Sequence, residues 1–178
     1  MRIAIPKETH PGENRVPIIP DMAKKLVRMG ADLVIESGMG TGSGFTDAEY
    51  TDVGATISTD RNELFSSADV LLRLRKPELS EIALMKRGCI HISYLDPFNE
   101  HALVSAFKEA GVTAISMEMI PRTTRSQKMD ALSSQANLAG YQMVIEAAMA
   151  LPRIFPMMMT PAGTLKPANV FVIGAGVA

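Results

Sequence analysis

A doubly wound α/β fold, a parallel sheet covered by helices on both faces, is what the sequence predicts, and three observations predict it. Short runs rich in Val, Ile and Leu recur along residues 1–120, helical stretches separate them, and the runs are continuous rather than alternating. Continuous apolar runs suit strands buried on both sides, and strands separated by helices are joined as parallel crossovers. RIAI (2–5) opens as a strand. PDMAKKLVRMG (20–30) reads as a helix, with Pro20 and Asp21 at its start, Met22, Leu26 and Met29 on one face, and Gly30 at its stop. DLVIE (32–36) is the next strand, and SGMGTGSG (37–44) a glycine-rich turn. A short helix from Thr46, a weak strand ATIS (55–58) and a helix near Arg61–Phe65 follow. DVLLRLR (69–75) is the clearest strand; a helix then runs to Lys86, CIHIS (89–93) is a strand, a helix spans Asn99–Ala110, and VTAISME (112–118) is the last strand of the series.

Beyond that series, SSQANLAGYQMVIEAAMAL (133–151) reads as a long helix, with Leu138, Tyr141, Ile145 and Met149 at spacings of three and four, broken by Pro152 and Pro156. PMMMTPAGTLKPAN (156–169) is punctuated by Pro and Gly as a connector, and NVFVI (169–173) starts a new strand. The expected organisation is a Rossmann- or flavodoxin-like domain over 1–151 that includes the long helix, a connector at 152–168, and the first strand of a second Rossmann domain at 169–178.

Composition narrows the function classes. At 178 residues the chain can hold one domain with a full core and the beginning of another. A net charge of −1 leaves no basic footprint for nucleic acid. The single cysteine, Cys89, lies in the apolar run GCIHIS and reads as a buried inert thiol, so neither a disulfide framework nor a metal cluster is expected. No window approaches the roughly 18 uninterrupted apolar residues of a membrane span. The 13 methionines read as adaptable packing. His10 and His101 read as surface residues and His91 as a satisfied strand histidine. Lys7, Glu8, Glu13 and Arg15, in the loop after the first strand, read first as ion pairs and second as lining for a cleft.

Two stretches could carry chemistry. FVIGAGVA (171–178) presents a strand turning through Gly174, Ala175, Gly176 and Val177, as the first half of a dinucleotide-binding turn does. The other reading is a terminal strand with a glycine tail. PRTTRSQKMDALSSQ (121–135) follows a strand at its carboxyl end, where open parallel sheets bind ligands. Arg122, Arg125, Gln127, Asp130 and Ser133 offer fixed donors and acceptors suited to an uncharged amide on a flat ring. With neither His nor Cys in the loop, no nucleophile–base pair is present. The alternative is a solvated loop in which Ser133 or Ser134 caps the following helix.

MRIAIPKE…GENRVPIIP, VIESGMGTGSG, MEMIPRTTRSQKMDALSSQANLAGY and FPMMMTPAGTLKPANVFVIGAGVA resemble, along the whole chain, the NAD(H)-binding component of proton-translocating nicotinamide nucleotide transhydrogenases. The wider superfamily includes alanine dehydrogenase, which shares the opening PKE…ENRV. The resemblance implies two α/β domains with NAD between them and a mobile loop matching residues 122–133. It gives Arg122, Gln127 and Asp130 the catalytic positions, Asp130, Arg122 and Ser133 holding the nicotinamide end and Gln127 aligning the ring. Thr123, Thr124, Lys128 and Met129 would complete the loop against the nucleotide, and Gly174, Ala175, Gly176 and Val177 would lie by the pyrophosphate. The implied cofactors are NAD(H) on this chain and NADP(H) on a partner component. The implied assembly is a homodimer with NADP(H)-binding and membrane-spanning components, cytoplasmic and peripheral at the inner face of the bacterial cell membrane. Hydride transfer between two nicotinamides needs rings held face to face rather than a protein acid or base, and the loop's inventory fits that requirement.

The resemblance also implies a longer protein, so the chain reads as a fragment expected to lack turnover alone. Two alternatives stand beside this reading: an alanine dehydrogenase-like oxidoreductase and a non-catalytic association module. In the alanine dehydrogenase branch an arginine, a lysine and a histidine hold the substrate, and Arg15, Arg75 and Asp96 stand at those places.

Overall fold

In the computed structural model, which describes residues Met1–Ala178, six strands form one parallel sheet in the order β3-β2-β1-β4-β5-β6. They are β1 (Arg2–Ile5), β2 (Asp32–Glu36), β3 (Thr56–Ser58), β4 (Val70–Leu72), β5 (Ile90–Ser93) and β6 (Thr113–Ser116). Helices α1 (Pro20–Arg28), α2 (Asp47–Asp52), α3 (Arg61–Ser67), α4 (Leu79–Leu84) and α5 (His101–Ala110) join them. The sheet and its helices make one unit, Met1–Ile120; Pro121–Ala178 form a second.

Local chemistry sets the element ends. Pro20 occupies the first turn of α1, where its missing N–H costs nothing. Thr46 and Glu49 form a reciprocal capping box at the start of α2, and the Asp60 side chain accepts the Glu63 N–H at the start of α3. Gly111 closes α5 in the left-handed region at φ 67°. Along β1 and β2 successive side chains face opposite layers. Ala4 and Val34 join Leu64, Phe65, Ile82 and Phe107 on one face, while Ile3, Ile5, Leu33 and Ile35 meet Ala23 and Tyr50 on the other. Burial on both faces is why these strands read as unbroken apolar runs.

Differences from the sequence reading fall at element ends. Regular pairing in β4 stops at Leu72, although Arg73 N still donates to the Ile92 carbonyl and Tyr94 N to that of Leu74. The last strand is shorter than 112–118, because Met117–Met119 turn into a short 3-10 helix.

The second unit contains α6 (Ala131–Ala150), the helix that the sequence reading groups with the first 151 residues. The segment read as a connector holds a hairpin, β7 (Met158–Thr160) and β8 (Gly163–Leu165), closed by Pro161 and Ala162. The strand expected at 169–173 is absent. Val170–Ile173 lie exposed outside any ladder, since a lone apolar run has no strand to receive its backbone hydrogen bonds. No helix is long and apolar enough to cross a membrane.

His91 and Cys89 are buried as expected, and His10 and His101 are exposed. The His91 ring lies 5.2 Å from that of Phe107, its Nε2 is 3.0 Å from Ser93 Oγ, and its Nδ1 has no partner. Burial, reinforced by the Arg73 charge, pushes its pKa from 6.5 down to about 3. The unfolded chain therefore binds one more proton than the folded one between those values. Its contribution to stability is complete above about pH 6.5 and declines as the solution is acidified toward about pH 3. Urea titrations across this window should show unfolding free energy falling by up to about 1.4 kcal/mol per pH unit from this residue. His91→Leu should flatten the slope; an unchanged slope would assign the acid sensitivity to other groups.

Candidate functional site

Within the second unit, Arg122, Thr123, Thr124, Gln127 and Asp130 line a recess of about 250 Å³. The Thr123 side chain accepts the Ser126 N–H and so starts the 3-10 turn Thr124–Met129, which brings Gln127 to the same side as Arg122 and Asp130. Asp130 ends that turn and begins α6. Its Oδ1 accepts the Ser133 N–H at 3.0 Å and its Oδ2 the Ser133 hydroxyl at 2.6 Å. The helix cap is therefore Asp130, with Ser133 as donor, rather than Ser133 or Ser134. The Ser133 hydroxyl, then its N–H, hold the Asp130 carboxyl below the usual range, and the nearby Arg122 charge adds to this.

The recess gathers the core of the sequence-predicted set. Ser133 reaches it through Asp130. Lys128 and Met129 ride on the 3-10 turn outside the lining, with the Met129 side chain exposed. Gly174, Ala175, Gly176 and Val177 are exposed, outside regular structure, and contribute nothing to the recess. Gly174 has φ 95°, a value that glycine adopts without a Cβ penalty.

The first unit carries a second polar assembly, at the carboxyl ends of β1 and β4, where the strand order reverses and open sheets ordinarily take a ligand. In this chain ion pairs fill the position. Arg73 Nη1 donates to Glu81 Oε2 at 2.5 Å and its Nη2 lies 3.6 Å from Glu8 Oε2, with the Arg73 side chain only 2% exposed. Glu8 also accepts the Leu74 N–H at 2.6 Å. Arg61 bridges Glu81 and Glu36, and Glu36 accepts the Lys7 N–H at 2.7 Å. Burial pushes the Glu81 carboxyl up, but Arg73 and Arg61 outweigh it and the net direction is down. Above this chain Glu13 takes a two-point contact from Arg15, at 2.7 and 2.6 Å, and a bond from Arg75 Nε at 2.9 Å. The Arg15 bonds, against the opposing effect of burial, bring the Glu13 carboxyl to about 2.

The sequence reading assigned ion pairing to Glu8, Glu13 and Arg15 but passed over Arg61, Arg73 and Glu81. Charged residues inside an apolar strand (LRLRK) and one on the apolar side of α4 were the available signal.

Chemically, the 122–130 recess offers guanidinium and amide donors, amide and carboxylate acceptors, and no nucleophile beside a base. It can orient a planar polar group and leaves bond-making to whatever it holds. No group of three or more His, Cys, Asp or Glu side chains is placed to hold a metal ion.

Comparison with known proteins bears on this geometry. Residues 4–139 match the family model described as alanine dehydrogenase/PNT, N-terminal domain, and residues 143–178 match the corresponding C-terminal domain. The chain is 45% identical to an NAD(P) transhydrogenase subunit alpha chain of Rhodospirillum rubrum, over 100% of its own length and 48% of that protein. Its fold superposes on the crystal structure of the transhydrogenase from Sinorhizobium meliloti with a TM-score of 0.94 at 46% identity, covering 99% of this chain and 53% of the other. An L-alanine dehydrogenase structure is more distant, with a TM-score of 0.77 at 28% identity over 84% of this chain and 40% of that one. The chain spans about half the length of the Rhodospirillum relative.

Proposed function

Since the chain belongs to the alanine dehydrogenase/PNT family, we propose that it is part of the NAD(H)-binding component of a proton-translocating transhydrogenase, in which its 122–133 loop orients the nicotinamide. The observation that carries this reading is the recess itself. Arg122, Gln127 and Asp130 converge with donors and acceptors that match a carboxamide, and none is paired as an acid or base with a nucleophile. NAD(H), when bound, supplies the hydride chemistry. The chain's own role is to hold and aim. Arg122 donates to the carboxamide oxygen, Asp130 accepts from its NH2 group while keeping Ser133 in place, and Gln127 sets the ring's facing direction. Gly174–Val177 contribute to the pyrophosphate site, with Thr123, Thr124, Lys128 and Met129 along the nucleotide. A partner component that binds NADP(H), and another that spans the membrane, complete the assembly, in which this component is dimeric and lies at the cytoplasmic face.

Several features weigh against oxidative deamination. Arg15 and Arg75 are both tied to Glu13, and position 96 is Asp, with no imidazole to handle a proton.

The test is NADH titration, followed by nicotinamide fluorescence, of a chimera in which these residues replace the matching segment of the Rhodospirillum relative. Saturable binding should weaken about tenfold in Asp130→Asn, which keeps a helix-capping side chain while losing the charged acceptor. Binding untouched by that change would remove Asp130 from the site, and absence of binding by the chimera would overturn the reading.

A further inference from the structure

β6 is the edge strand of its sheet, paired only with β5, and its ladder ends at Ser116. Between there and the exit from the first unit at Ile120, the backbone makes one local bond, Ile120 N to the Met117 carbonyl. The segment nevertheless has an anchor. Glu118 Oε1 accepts the Leu95 N–H at 2.9 Å and also the Asp96 N–H. Two successive backbone N–H groups converging on one oxygen make an anion-binding concavity, and Glu118 supplies the anion. Asp96 is the one non-glycine residue with positive φ, 50°, a conformation that persists only where its surroundings impose it. Asn99 Nδ2 secures the same turn by donating to both Asp96 carboxylate oxygens, at 2.9 and 3.1 Å. The second Glu118 oxygen is buried without a partner, so the side chain gives up hydration to sit where it does.

We propose that Glu118 is a positioning residue for the 121–130 loop: its carboxylate, seated on the Leu95 and Asp96 N–H groups, fixes the point from which the loop departs and thereby how often the loop opens. The inference rests on the function proposed above only for what the loop holds. The anchor itself stands on the geometry of the first unit.

Trypsin reads loop opening directly, because Arg122, Arg125 and Lys128 are exposed loop residues. In the ligand-free chain, cleavage at these bonds, followed by mass spectrometry, should accelerate about tenfold in Glu118→Ala and in Glu118→Asp, whose shorter side chain cannot reach both N–H groups. Glu118→Gln, which retains an acceptor oxygen, should stay within about twofold of the parent. Cleavage at Arg28 and Arg87, exposed elsewhere in the first unit, should not change in any variant. Parent-like rates in Glu118→Asp would overturn the proposal, and so would acceleration shared equally by Arg28 and Arg87, which reports general loosening. Should Glu118→Ala fail to fold, Glu118→Asp decides alone. NADH protection of the loop bonds in the parent chimera is read separately: its absence would count against the proposed ligand and leave the anchor standing.

Discussion

Arg73→Ala is expected to lower the unfolding free energy by about 3–5 kcal/mol, the largest stability loss anticipated for a single substitution in this chain. The guanidinium is 2% exposed and lies between Glu8 and Glu81, whose side chains are 4% and 12% exposed. Removing it leaves two carboxylates facing each other with little water to screen them, and the loss exceeds that of the pair interaction alone. Arg61 still holds Glu81, so the damage should concentrate on Glu8 and on the Leu74 N–H it accepts. Urea unfolding checks the size of the effect. A triple variant, Arg73→Met with Glu8→Gln and Glu81→Gln, should recover most of the loss, because it removes the charges together. A loss under about 1 kcal/mol in the single variant would mean that water reaches the carboxylates and that the network is no more than a surface ion pair.

Gln127→Asn is expected to slow hydride transfer about a hundredfold in the chimera supplied with an NADP(H)-binding component, while NADH affinity changes less than about threefold. One methylene shortens the amide's reach by roughly 1 Å, and displacement of that size in a positioning contact can cost about 10²-fold in rate. Binding depends on the sum of contacts from Arg122, Asp130 and the remainder of the nucleotide site, so it feels the change little. Stopped-flow measurement of the transfer step beside equilibrium titration separates the two quantities. Equal losses in rate and affinity would make Gln127 a general binding residue without an aligning role.

The sheet was legible because a strand buried on both faces leaves an unbroken apolar run, as in RIAI and DLVIE, and capping chemistry marks helix starts locally, as Thr46 and Glu49 do. The 122–133 loop was legible from its residue types, and more so from family resemblance. What failed to show in the pattern was decided by partners far along the chain. Arg73 looks like a strand intruder until Glu8 and Glu81, 65 positions before it and eight after it, fold around it. The β7–β8 hairpin hid behind Pro161 and Gly163, which signal a turn without saying that strands flank it. The run NVFVI carries a strand's composition, but strand formation requires a neighbouring backbone, which is a property of the fold rather than of five residues. Glu118 gave no signal, because the N–H groups it occupies are invisible to any reading of side chains.

The strand order has a consequence for synthesis. β2 docks beside β1, β3 beside β2, β4 against the other edge of β1, then β5 beside β4 and β6 beside β5. Each strand leaving the ribosome finds its neighbour already made, so no gap in the sheet waits for a later segment. Vectorial growth of this kind keeps the unpaired backbone confined to the edges of a growing ribbon, with β1 as the seed from which both halves extend.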